Sequence, residues 1–176
     1  MRSSSRRVSA AFETWESVAD INFVEVADSP LSDIHLGWDT IDGPSGTVGE
    51  AAYQGMTDGF FNPADPRYST TDAEIRFDLV ESWSPDGGYV DFLAVAPHEI
   101  GHAIGLGHTD DPSTIMFPVV SALGLSPGDS LGAQTIYGTT AIADGVQFDA
   151  DDIAAGVMQA SFGGAAWRAP GAQLGI

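Results

Sequence analysis

The stretch HEIGHAIGLGH, residues 98 to 108, constrains this chain more than any other. His98 and His102 stand four apart, so on a helix they share one face about a turn apart and close on a single point. Gly105 follows, free to take the φ > 0 conformation that ends a helix, and a sharp turn there returns His108 to the same point. Three neutral imidazoles suit Zn²⁺ and leave a fourth position for water, the pattern of a catalytic site. Zinc lowers the pKa of such a water from about 15.7 toward roughly 7, and Glu99, beside the ligands, is placed to take its proton as it attacks a carbonyl. Three of the chain's 4 histidines lie in this stretch.

The fourth, His35, falls in DIHLGW (33–38), where Ile34, Leu36 and Trp38 share one face of a strand and His35 points outward. An amphipathic helix over 6–18 is expected from Val8, Phe12 and Trp15 at i, i+4 and i+7. INFVEV (21–26) reads as a strand and VGEAAYQG (48–55) as a short edge strand. EIRFDL (74–79) alternates, with Ile75, Phe77 and Leu79 inward and Glu74, Arg76 and Asp78 outward. The histidine helix is expected from about Asp91 to Gly105. Pro97 inside it deletes a hydrogen bond, so either the helix begins only a few residues earlier or it kinks. Ser126 is a candidate cap for a last helix to Tyr137 with Leu131 and Ile136 as its apolar face. Beyond residue 138 only FDADDIAAGVMQA (148–160) reads as helical.

At 176 residues one domain with a proper core is expected. No apolar run approaches the length of a membrane span, and the start MRSSSRRVSA has no apolar run behind its basic residues to make a signal peptide. Without cysteine, neither a disulfide nor a cysteine-based latency switch is encoded. A net charge of −19 makes nucleic acid and anionic lipid poor partners.

The histidine stretch has the metzincin signature, which calls for a methionine-containing turn downstream, and Met116 lies in STIMFP (113–118). Over residues 8 to 138 the chain resembles the catalytic domain of the matrixins. AFETWESVADINFVEV, DGPSG, the later FD, IMFP and LSPGDSLGAQTIYG each look like family segments in the right order, and Pro118 stands two residues after the turn methionine, as in matrixins. The resemblance implies an α+β fold of three α/β/α layers, with a mixed, mostly parallel twisted sheet, an antiparallel edge strand and three helices. Residues 1–138 would form the peptidase domain and 139–176 an extension or linker. In matrixins a sheet strand precedes the first helix, whereas this chain starts inside that helix. Either the chain is a fragment or a tail segment replaces the strand, with GVQF (145–148) as the candidate.

Carried over by resemblance, His98, His102 and His108 match the zinc ligands, Glu99 the general base and Met116 the floor of the metal site. The peptide-binding edge strand matches Val48, Gly49, Glu50, Ala51 and Ala52. The pocket past the scissile bond involves Val95 and the wall Pro118, Val119 and Val120, where Val120 replaces the usual tyrosine. Asp42, the carbonyls of Gly43, Ser45 and Thr47, and the carboxylates of Asp78 and Glu81 match a calcium site, against the alternative of a Gly/Pro turn beside a solvated acidic strand end. The family's structural zinc is expected to be lost, because Glu50 and Arg76 stand where two of its histidines would, and a salt bridge between them would fill the gap.

The function these features imply is a secreted, monomeric, zinc-dependent endopeptidase acting on protein or peptide substrates. Its alternative is a peptide-binding module with an impaired site. The acidity has two readings, carboxylates that hold Ca²⁺ or a surface adapted to high salt, where self-repulsion is screened. Salt adaptation predicts a clear rise in unfolding midpoint from low to molar NaCl, and coincident midpoints would remove it.

Overall fold

The computed structural model describes residues 2–30, 32–53, 73–84, 90–139, 157–162 and 165–167. Three helices pack with an open mixed sheet, an α+β arrangement. The first helix, α1 (Arg2–Glu16), buries the stripe expected of it: Val8, Phe12 and Trp15 are at most 1% exposed. Phe12 meets Phe23 with ring centroids 4.7 Å apart, joining the helix to the first strand. The buried Trp15 indole donates to the carbonyl of Pro97 at 2.9 Å and so satisfies its own N–H within the core.

The strands are β1 (Asn22–Val26), β2 (Ile34–Asp39), β3 (Gly49–Tyr53), β4 (Ala73–Asp78), β5 (Trp83–Ser84), β6 (Val90–Asp91), β7 (Val157–Phe162) and β8 (Ala165–Trp167). The main sheet runs β1-β8-β7-β2-β4-β3, and β5 and β6 form a small parallel pair. β2 is parallel to β4, and β3 is an antiparallel edge strand on β4. Glu50 and Arg76 stand opposite each other there, and their side chains pair at 2.6 Å, with Asp39 on the same guanidinium at 3.1 Å. The remaining helices are α2 (Phe92–Ala103) and α3 (Pro127–Tyr137).

The tail departs most from expectation. Residues 157–160, read as helical, belong to β7, which runs parallel to both β1 and β2 and lies between them. The β-branched and aromatic ends of VMQASF suit an extended chain, and pairing on both sides overrides the local alanine pattern. GVQF (145–148) lies outside the described residues.

Three side chains also face the other way. β4 ends at Asp78, so the alternation stops there: Leu79 is 60% exposed and Asp78 is fully buried. Burial of Asp78 is tolerated because backbone N–H groups of Val80, Gly43 and Asp42 donate to its carboxylate, and those bonds lower its pKa. Leu131 is 65% exposed, because α3 turns Asp129 and Ala133 inward instead. Trp38 shares the face of Ile34 and Leu36, but at the strand end it is half covered, by Phe77, Trp83 and Phe92.

α2 begins five residues before Pro97, where Asp91 caps it by accepting from Leu93 N, and it carries Pro97 inside the helix, where the bond to the Leu93 carbonyl is absent. On its inner face Gly101 touches both α1 and the methionine turn. A Cβ there would lie 2.4 Å from Met116 Sδ and 2.9 Å from Trp15 Cζ2. Gly101→Ala is therefore expected to cost about 1–3 kcal/mol of overpacking, more than the helix-propensity gain of up to about 1 kcal/mol. The denaturant midpoint should fall; a rise would contradict this packing.

Candidate active site

The end of α2 builds the site. Gly105 has φ +98°, its N–H donates to His102 O, and Leu106 N donates to Gly101 O. This paired closure is a Schellman turn, which caps the last carbonyls and reverses the chain. The turn also presents the Leu106 carbonyl to His102 Nδ1 at 2.8 Å. His98 Nδ1 meets the Ile115 carbonyl at 2.6 Å. A carbonyl can only accept, so both Nδ1 atoms carry the proton and both Nε2 atoms present bare lone pairs.

Those lone pairs converge. His98 Nε2 and His102 Nε2 are 3.1 Å apart, and His102 Nε2 and His108 Nε2 are 3.2 Å apart. A tetrahedral ion with metal–nitrogen bonds of about 2.0–2.1 Å spaces its ligands at roughly 3.3 Å, so the three nitrogens fit Zn²⁺. Without a cation, the facing lone pairs of His98 and His102 repel each other. Burial lowers the His98 pKa and brings that of His102 down to about 4, which keeps both rings in the neutral form a metal requires.

Glu99 lies on the same turn of α2, 4% exposed. Burial first, and the charge of Glu50 second, raise its pKa to about 8. A cation held by the histidines would draw that value down. Glu99 faces the edge strand: a Cβ at Gly49 would lie 2.9 Å from Glu99 Oε1. A cleft of about 690 Å³ runs here, lined by the three histidines, Glu99, Val48, Gly49, Glu50, Ala51, Val95, Pro118, Val119 and Val120. Ala52, expected in the same group, is exposed and outside that lining.

Met116 is 1% exposed, with its sulfur against Gly101 of the histidine helix. Its turn is held by a residue that sequence reasoning missed: the buried Asp129 carboxylate accepts from Ile115 N at 2.9 Å, Met116 N at 3.3 Å and Ser126 N at 2.8 Å. One peptide segment thus takes Asp129 on its N–H side and gives its Ile115 carbonyl to His98. The spacing of Ser126 and Asp129 is that of a capping box, and that signal could have found it. Tyr137 OH donates to Ile104 O at 2.8 Å, so α3 also braces the end of α2.

The calcium-type residues come together as one unit. Asp42 accepts from Thr47 N and Thr47 Oγ1, Asp78 from Asp42 N and Gly43 N, and Glu81 from Ser45 N and Gly46 N. Ser45 has φ +69° in this tight loop. Each carboxylate closes on loop N–H groups. Among the described residues, the histidines form the group whose ligand atoms all lie within 4.8 Å of one another, and these three carboxylates do not.

The Glu99 shift sets a pH dependence for the metal-free chain. Folded Glu99 holds its proton up to about pH 8, whereas the unfolded carboxyl loses it near 4.5, so the folded state binds more protons between those values. Stability should rise by at most about 2 kcal/mol as pH falls from 8.5 to 6.5. Below about 6.5, His98 and His102 oppose further gain, because their depressed pKa values make the unfolded state the better proton acceptor. Denaturant midpoints of the metal-free protein should show the rise, and Glu99→Gln should abolish it. An equal rise in the variant would contradict the assignment.

The matrixin family model matches residues 2–138. The chain is 28% identical over 141 residues to Karilysin of Tannerella forsythia, covering 74% of this chain and 28% of that protein. It is 32% identical over 139 residues to Metalloendoproteinase 4-MMP of Arabidopsis thaliana, covering 73% and 38%. With Matrilysin of Felis catus it shares 32% over 145 residues, covering 74% and 50%. The chain therefore spans half or less of the length of these relatives. It belongs to the matrixin family.

Proposed function

We propose that this chain is a zinc-dependent endopeptidase that cuts extended protein or peptide substrates. The observation that carries the reading is the convergence of three Nε2 atoms at ligand spacing, with the Nδ1 protons of His98 and His102 committed to carbonyls. His98, His102 and His108 would hold one Zn²⁺, whose contribution is Lewis acidity toward a carbonyl and a water.

The chain's own groups do the rest. β3 ends the sheet among the described residues, and its outer side would give an extended peptide a ladder of backbone partners along Gly49 to Ala52. Val95 and the wall Pro118 to Val120 receive the side chain after the scissile bond. Glu99 takes a proton from the attacking water and hands it to the leaving amine, and its buried position suits a group that must bind and release a proton near neutrality. Met116 and Gly101 keep the histidine helix seated without touching substrate.

A calcium ion at the loop of Asp42, Gly43, Ser45 and Thr47, with Asp78 and Glu81, belongs to the same reading, supported by six oxygen ligand groups gathered on one loop and strand end. Its binding requires the carboxylates to turn from the loop N–H groups. The protein acts as a monomer and outside the cell, as its family membership suggests; no helix among the described residues is long and apolar enough to cross a membrane.

Cleavage of a quenched fluorescent peptide library, measured in calcium and high salt, should be seen with the native chain. Glu99→Ala should lose roughly 10²–10⁴-fold of it. Zinc binding with no cleavage by the native chain would favour the peptide-binding alternative. EGTA should lower the melting temperature by several degrees, and an unchanged value would remove the calcium site.

A further inference from the structure

The family match ends at residue 138, yet the sheet does not. Among the described residues β1 pairs with no other strand of 2–138, and its partners are β7 and β8. β2 meets β7 on one side and β4 on the other. Among the described strands the sheet is therefore continuous from β1 to β2 only through the tail. β7 is parallel to both neighbours, Phe23 opposite Met158 on one side and His35 opposite Ser161 on the other. Removing it would leave one side of β2 and the Asn22–Val24 part of β1 with unpaired backbone groups next to the core, a costly state.

The consequence reaches the histidines through packing. β1 carries Phe23, which seats Phe12 of α1, and α1 carries Trp15, which bonds to Pro97 and touches Gly101 in the histidine helix. The sheet half bearing β2, β4 and β3 supplies the other wall of the cleft. We propose that residues 157–162 are a working strand of the catalytic domain, supplied in cis by the tail. Their seating between β1 and β2 locks the α1 half to the cleft half, and unseating them disables the metal site. The part of this inference that concerns zinc rests on the proposed function; the part that concerns the strand does not.

The chain lacks cysteine, which makes paired cysteines a clean probe. Neighbouring strands lie about 4.7–4.9 Å apart, within the Cα separation that a disulfide spans. In the full chain, His35→Cys with Ser161→Cys should oxidise to a disulfide within one molecule. His35→Cys with Ala160→Cys, one residue out of register and on opposite faces, should oxidise at least tenfold more slowly. Equal rates, no bond in either pair, or a covalent dimer would overturn the cis strand.

Gln159→Pro, which removes an interior strand N–H, should weaken Zn²⁺ binding at least tenfold or prevent folding, while Gln159→Thr retains both. Unchanged zinc affinity in Gln159→Pro would overturn the coupling to the site. If the His35→Cys, Ser161→Cys chain forms the registered disulfide while the native chain binds no zinc, the strand assignment stands and the proposed function is removed.

Discussion

Two backbone carbonyls determine what this site can be. The Ile115 and Leu106 oxygens each take an Nδ1 proton, and that forces His98 and His102 to turn bare Nε2 atoms toward His108. Neither carbonyl is free to move. Leu106 is fixed by the turn that closes α2, and Ile115 lies in the segment whose N–H groups Asp129 holds. The repulsion between these two bare nitrogens, 3.1 Å apart, is thus built in by the backbone, and a cation bound between them would offset it. Carboxylate ligands would lack this means of fixing orientation, since the second ring nitrogen is what ties each imidazole to the fold.

The same economy recurs at Glu50. Its carboxylate pairs with Arg76 across β3 and β4, holding the edge strand to the sheet. Its charge also adds to burial in raising the Glu99 pKa. As a partly exposed pair, Glu50 and Arg76 contribute about 0–1 kcal/mol of stability, so their main effect is on position: they set the strand on which substrate would lie and the field that Glu99 feels. Gly49, beside them, leaves room for the Glu99 carboxylate where a Cβ would stand 2.9 Å away.

Much of this was legible because the relevant signals are local. The i, i+4 histidines, the helix-ending Gly105 and the α1 stripe of Val8, Phe12 and Trp15 each depend on residues within two turns of one another, and each is found as read. The Glu50–Arg76 pair was also legible, from resemblance and not from spacing. What sequence did not show depends on distant partners. Asp78 is buried because a loop 35 residues earlier donates N–H groups to it, and Leu131 is exposed because Asp129 takes the inward face of α3 to reach the methionine turn. β7 was missed for the strongest form of the same reason: VMQASF has no clear alternation, and only two flanking strands far back in the chain make it a strand.

Zinc content together with zinc-edge X-ray absorption on the purified protein tests the central claim most directly. One zinc per chain, bound by three imidazole nitrogens at about 2.0–2.1 Å and lost in His102→Ala, is the expected result. Two zinc ions per chain, or a protein that takes up none after dialysis against Zn²⁺ at neutral pH, would contradict it.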